Sequence, residues 1–368
     1  MKKRLLAMVA TVAIVATALA GCGSKTEDKS TKDSGTKTET TSSAKVGMAT
    51  DEGGINDKSF NEAANKGLMK AKDELKLNPK VLESKTNADY EPYLKQLSKD
   101  NDLVFGIGYK FKTAMENVSK DNADKKYAIV DDVVDAPNVM SINFKEEDGS
   151  FLMGVIAGKT TKTNKVGFIG GIDGPLINKF EAGFIAGVAS VNPEAAKALM
   201  PKDGKSGTNV RYAGSFSDVA AGGEIAKALY NDGCDVIYHA AGGVGVGLLN
   251  TAKSLRDQGK DVWAIGVDQD QSLTMPENAS AILSSMIKKV DVAVYDVTKK
   301  FSEGKFEAGK KVYGFEEGGI DMAETTSKNT AKDVIDLANK YKEAIKSKKF
   351  TVPATREDLE KFKAPTLE

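Results

Sequence analysis

From Val46 onward the chain alternates short runs of β-branched, aliphatic and aromatic residues with longer stretches whose apolar positions recur every three or four residues. The short runs predict strands at residues 46–49, 81–85, 103–107, 127–130, 139–143, 166–170, 210–214, 236–239, 262–267 and 281–285. The longer stretches predict amphipathic helices: Phe60, Ala63, Ala64, Gly67, Leu68, Ala71 and Leu75 share one face, as do Leu152, Val155 and Ile156, and Ile225, Ala228 and Leu229. This alternation predicts an α/β protein with mostly parallel sheets. Ten strands exceed one small sheet, so the pattern divides into two lobes in series, with the change of lobe near residues 143–147. Residues 301–312 and a helix at 333–346 follow the second lobe and must pack back on one or both. The chain is therefore expected to cross between lobes more than once.

The first 45 residues have a different character. Residues 1–20 have a basic start, an apolar stretch from Leu5 to Ala20 and small residues at the end, the order of a secretory signal. That apolar stretch is too short to span a bilayer comfortably. The run Leu19, Ala20, Gly21, Cys22 resembles a bacterial lipobox, which implies a signal peptide at 1–21, cleavage before Cys22 and a diacylglyceryl group on its sulfur. Residues 23–45 contain no aliphatic side chain larger than alanine and no aromatic, so residues 22–45 are expected to be a flexible linker. Such a leash reaches about 25 to 30 Å on average. The one other cysteine, Cys234, precedes an apolar run and reads as a small buried residue.

Over all 368 residues, 52 Lys and Arg balance 52 Asp and Glu. Removing residues 1–21, which carry Lys2, Lys3 and Arg4 and no acid, leaves 49 basic against 52 acidic side chains. That excludes a basic nucleic-acid-binding face. Two cysteines and one histidine leave little for metal or thiol chemistry, and no cofactor is expected. His239 ends an apolar run and reads as a buried, hydrogen-bonded imidazole.

Ligands of open α/β sheets bind beyond the carboxyl ends of the strands. Those positions hold residues 51–61 after the first strand, Asp131 and Asp132 after the fourth, residues 215–218 after the seventh, residues 240–243 after the eighth, Asp268 to Asp270 after the ninth, and Lys288 with Lys289 after the tenth. Some of these have structural roles. Ser59 and Glu62 form a capping-box pattern, Asp57 could serve the same helix start, Phe60 could belong to that helix's core, and Asp218 reads as an N-cap. The glycines at 242, 243, 245 and 247 read as a tight strand-to-helix turn, since they lack a phosphate-loop spacing. Residues 154–160 mimic a nucleotide-binding loop but have three residues between their glycines where the motif needs four, and they lie in a helical pattern.

Residues 48–61, 127–134 with Pro137 and Asn138, 165–188, 212–216, 240–247 and 266–271, taken in order, resemble the basic membrane protein family, the purine nucleoside-binding lipoproteins of ABC importers. The resemblance implies a type I periplasmic-binding-protein fold: two doubly wound lobes, three crossovers and a ligand cleft. The lobes would comprise residues 46–143 plus about 279–310 and residues 144–278 plus about 311–350, with a tail at 351–368. Carried over by position, Phe60 and Phe216 would sandwich the purine, and Asp57, Asn61 and Asp131 (or Asp132) would supply acidic and amide contacts. Asp268 would bind the ribose, Lys288 (or Lys289) would be its basic partner, and Gly243 would offer backbone beside the ligand. The resemblance also implies no catalytic residue and no metal. The expected partners are a purine nucleoside, permease subunits and the membrane through Cys22, with no nucleic acid. The chain is expected to be an extracytoplasmic monomer. Two rivals remain at this level: a nucleoside hydrolase-like enzyme, suggested by the acidic residues, and a receptor of the same fold for a sugar or signalling molecule.

Overall fold

The computed structural model describes residues 44–202, 205–363, 365 and 367; the expected signal peptide, Cys22 and the expected linker up to residue 43 lie outside the described residues. In chain order the strands are β1 (Val46–Thr50), β2 (Lys80–Glu83), β3 (Leu103–Ile107), β4 (Lys126–Val130), β5 (Val139–Phe144), β6 (Val166–Gly170), β7 (Val210–Tyr212), β8 (Val236–Ala240), β9 (Trp263–Asp268), β10 (Ile282–Lys288), β11 (Gly309–Tyr313) and β12 (Ile320–Met322). The helices are α1 (Phe60–Leu75), α2 (Tyr90–Asp100), α3 (Lys112–Asp121), α4 (Glu146–Thr160), α5 (Pro175–Val191), α6 (Pro193–Ala196), α7 (Val219–Asn231), α8 (Val244–Asp257), α9 (Gln271–Thr274), α10 (Val290–Ser302), α11 (Lys332–Lys346) and α12 (Arg356–Lys361).

The strands form two six-stranded sheets with matching order, β2-β1-β3-β4-β5-β11 and β7-β6-β8-β9-β10-β12. Their neighbours are parallel, apart from the antiparallel pair of β10 and β12. Central strands such as β3 and β6 are apolar and buried at every position, as sheets covered on both faces require. All ten expected strands form, and the shared order makes β4 and β9 equivalent positions in the two lobes.

The chain passes between lobes three times: from Phe144 into α4, from Lys288 into α10, and from Tyr313 to β12. Helix α4 packs on α5, β10 and β12, whereas α10 packs on α1. Two expected boundaries shift as a result. Strand β10, expected with the first lobe, bonds to β9 in the second sheet, with Ser285 beside Gly266. Val312 and Tyr313, expected with the second lobe, pair with Asn143 and Phe144 in the first sheet. The hydrophobic pattern shows where strands lie but not which sheet a strand joins once the chain crosses repeatedly.

Residues 154–160 lie in α4, where close helix contact explains their glycines. A Cβ on Gly154 would stand 2.1 Å from the carbonyl oxygen of Phe184, and one on Gly187 2.0 Å from that of Phe151. The C-terminal residues dock rather than trail. Arg356 places Nη2 2.7 Å from Glu181 Oε2 and 3.0 Å from Asp173 Oδ1, and Leu359 is buried.

Candidate functional site

The carboxyl ends of both sheets face a cleft, and the loop after β1 forms its first wall. Asp57 Oδ1 accepts the backbone N–H groups of Ser59 (2.9 Å) and Glu62 (3.0 Å), while Oδ2 accepts those of Asn61 (2.9 Å) and of its side-chain amide (3.1 Å). Asp57 therefore anchors the start of α1, and the expected Ser59–Glu62 capping box does not form. One carboxylate satisfies three of the helix's first amides, so Ser59 and Glu62 are free for other partners. The Ser59 hydroxyl donates to Asp268 of the other lobe, and Glu62 pairs with Lys66 (2.9 Å) and Lys58 (3.4 Å). Asn61 Nδ2 also donates to Asp51 Oδ1 at 2.6 Å, which leaves Asn61 Oδ1 buried and without a partner. Burial pushes the Asp51 carboxyl up to about 6 and raises that of Asp57.

The equivalent strand ends carry equivalent acids. Asp131 follows β4 and Asp268 ends β9, and both adopt left-handed backbone, with φ +72° and +66°. A short polar side chain tolerates that region better than a branched one does. Asp131 Oδ2 accepts from Lys288 Nζ at 2.5 Å, while its Oδ1 is buried with no partner. Burial raises the Asp131 carboxyl to about 6, against the pull of Lys288, and that of Asp268 to about 7. Lys288 is 2% exposed and sits at the crossover from β10 to α10. Its ammonium also lies 3.3 Å from Glu146 Oε1 and 5.1 Å from the ring centres of Phe60 and Phe144. Burial alone would lower the Lys288 pKa, but the carboxylates of Asp131, Glu146 and Asp268 hold it above the ordinary lysine range.

Phe60 opens α1 in the first lobe, and Phe216 follows β7 in the second. The Phe216 ring rests on Gly171, where a Cβ would come within 2.2 Å of it, and meets Tyr109 of the first lobe edge-on at 6.3 Å. Asp57, Phe60, Asn61, Asp131, Phe216, Asp268 and Lys288 all line one cavity between the lobes, about 540 Å³ of empty space with its mouth included. Gly243 is not in the lining; its neighbour Gly242, at φ +56°, is. Asp132 turns to Lys112 at 3.0 Å, and Lys289 precedes α10 with its backbone N–H on the Gly319 carbonyl.

Asp51, one of the inspected residues 51–61 though not selected as a ligand contact, also lines the cavity, as do Tyr109 and Phe180, neither of which was expected there. Tyr109 stands just past β3, so the strand-end rule could have found it. Phe180 comes from within α5, which no strand-end rule inspects. His239 is fully buried and bonded to Gln271, Cys234 is buried, and Asp218 caps α7 through the Ala221 N–H at 2.9 Å. Asp270 is engaged by the Thr325 hydroxyl at 2.6 Å. Among the described residues no group of His, Cys, Asp and Glu is arranged to hold a metal ion.

Such a cavity offers aromatic faces and hydrogen-bonding groups to a small solute. Residues 44–356 match the family model of PnrA-like ABC transporter substrate-binding proteins. A CD4+ T-cell-stimulating antigen of Listeria innocua is 41% identical over 96% of this chain and 99% of its own. The ABC transporter nucleoside-binding protein BmpA of Lactococcus lactis is 36% identical over 96% and 100%. The crystal structure of an ABC transporter solute-binding protein from Aeropyrum pernix superimposes with a TM-score of 0.75 at 26% identity, covering 86% of this chain and 96% of that one. Among the described residues no helix is long and apolar enough to cross a membrane. From the paired sheets, the cleft between them and a match that spans nearly all the described residues, it follows that the chain belongs to the PnrA-like family of ABC transporter substrate-binding proteins, which bind a solute without transforming it.

Proposed function

We propose that the protein captures a purine nucleoside between its lobes and delivers it to the permease of an ABC importer. The observation that carries this reading is one cavity that combines phenyl rings from opposite lobes, Phe60 and Phe216, with buried acceptors at Asn61 Oδ1 and Asp131 Oδ1 that lack protein partners. A nucleoside offers a flat π face, a hydrogen-bonding ring edge and a vicinal diol. Phe60 and Phe216 take the face, Asn61 with Asp51 and Asp57 takes the edge, and Asp131, Asp268 and Lys288 take the ribose. Stacking contributes about 1 to 3 kcal/mol per base, and hydrogen bonds to charged groups roughly 1.5 to 3 kcal/mol each. Four carboxylates against the single ammonium of Lys288 disfavour a phosphate, so nucleotides should bind poorly. The nucleoside-binding relative in Lactococcus lactis supports the ligand class.

The protein is held at the outer face of the cell membrane by lipid on Cys22, with residues 22–45 as tether, and works as a monomer. The test is a melting panel on full chain stripped of bound solute. A ligand at 100 times its dissociation constant adds about 2.7 kcal/mol of stability. Guanosine, inosine and adenosine should raise the melting temperature more than free bases, ribose or nucleotides do, and no shift with any purine nucleoside would refute the reading.

A further inference from the structure

His239 and Gln271 lie behind the cleft wall of the second lobe, both at 0% exposure. Gln271 opens α9, with its backbone N–H on Ser285 Oγ at 3.1 Å. Its side-chain oxygen accepts the Val267 N–H at 3.0 Å and lies 2.9 Å from His239 Nε2. Two acceptors cannot bond each other, so the imidazole is the donor and Nε2 carries its proton. Burial lowers the imidazole pKa to about 4, which keeps the ring neutral with that single N–H. With both donors on its oxygen, the Gln271 amide turns its NH₂ toward the first lobe, where it donates to the Lys58 carbonyl at 3.1 Å. Gln269 Nε2 donates to the adjacent Ser59 carbonyl at 3.0 Å. Glycines make the room: a Cβ on Gly245 would lie 1.9 Å from the His239 ring, and one on Gly266 2.4 Å from Gln271 Oε1.

We propose that His239 is a positioning residue that acts through Gln271 to hold the second lobe's half of a latch, and that the Gln271 bond to the Lys58 carbonyl stabilises the closed cleft. The latch fastens onto the residues just before Phe60 and Asn61, so it sets the side of the cavity that those two residues line. It gives a role to the chain's single histidine and to Gly245 and Gly266, none of which lines the cavity.

The test uses the full chain, without a polyhistidine tag, in detergent. Spin labels at exposed Lys72→Cys in α1 and Lys227→Cys in α7 report the distance between lobes by pulsed EPR. Gln271→Met keeps length and volume but has neither donor nor acceptor, and His239→Phe keeps a ring without the N–H. Each should shift the ligand-free distance distribution toward the open form. Each should also raise the guanosine dissociation rate by about 2- to 12-fold, the worth of one neutral hydrogen bond, with little change in association rate. The double variant should match Gln271→Met, because both changes break one relay. Unchanged distances and dissociation in Gln271→Met, or effects that add, would overturn the proposal. The unmutated protein gives a second check: nitrogen NMR of its lone histidine should show the Nε2–H tautomer near neutral pH, and an Nδ1–H tautomer would overturn the relay even if a variant failed to fold. The latch rests on the closing of the lobes and not on the identity of the solute. Failure of the parent to bind guanosine would therefore strike the nucleoside reading alone, because the ligand-free distances and the NMR involve no ligand.

Discussion

Asp268→Asn alters charge at the centre of the cleft while preserving shape. The residue's φ of +66° suits asparagine, so the backbone can stay in place, and an amide oxygen can still accept the Ser59 hydroxyl. Burial lifts the carboxyl pKa from 3.8 to about 7, a preference for the neutral form on the order of 4 kcal/mol. Without an ionised group to bury, the ligand-free variant should melt at or above the parent temperature near pH 8, roughly a unit above that pKa. Nucleoside binding should weaken instead. A hydrogen bond to a charged acceptor is worth roughly 1.5 to 3 kcal/mol and one to a neutral acceptor about 0.5 to 1.5, so a loss of about 1 to 2 kcal/mol is expected, a 5- to 30-fold rise in Kd. Discrimination against 2′- and 3′-deoxyguanosine should fall with it, because the hydroxyls lose the charged partner proposed for them. Calorimetry with guanosine and both deoxy analogues, beside thermal melts, reads all three effects. If the variant binds guanosine as tightly as the parent and discriminates as sharply, the carboxylate serves only its contact with Ser59 and the ribose assignment is wrong.

Phe216→Ala should weaken guanosine by about 1 to 3 kcal/mol, roughly 5- to 150-fold, and, because the ring is proposed to stack on the base, the loss should be similar for guanosine and its deoxy analogues; calorimetry checks both. The ligand-free protein should become more stable as pH falls from about 8 to about 6.5, because Glu147 and Asp268, both raised to about 7 by burial, bind protons in the folded state before the unfolded chain does. His239 acts in the opposite direction below its unfolded value of 6.5, and a melting temperature that falls between about pH 8 and 6.5 would contradict the burial argument. Cys22→Ser should abolish incorporation of labelled fatty acid and shift the protein from the detergent phase to the aqueous phase, and unchanged partitioning would reveal another anchor.

How legible each feature is in the sequence follows from its physics. Central strands such as β3, apolar and buried at all five positions, announce themselves. Edge strand β11 does not: Gly309, Lys310 and Val312 are exposed, so its pattern resembles a loop, and the course of the last crossover is hidden with it. The acids at strand ends were readable because sheet geometry dictates where ligands can reach. At adjacent pairs such as Asp131 with Asp132 and Lys288 with Lys289, spacing alone left the choice open. Burial and partners separate the two members of each pair. At Ser59 a local motif misled, because a short-range capping box competes with the tertiary bond to Asp268 and with the better-placed Asp57 carboxylate. Phe180 stayed hidden because a phenylalanine within an apolar helix such as α5 carries no sign that it faces a cleft.

A purine nucleoside site in the cleft should reveal itself by direct binding. In equilibrium dialysis, radiolabelled guanosine should bind full chain, unfolded to release bound solute and then refolded, saturably and at a single site per chain. The label should be displaced by inosine and unaffected by ribose or guanosine monophosphate at the same concentration. No retained label from a refolded protein with native circular dichroism, or displacement by ribose as readily as by inosine, would contradict that assignment.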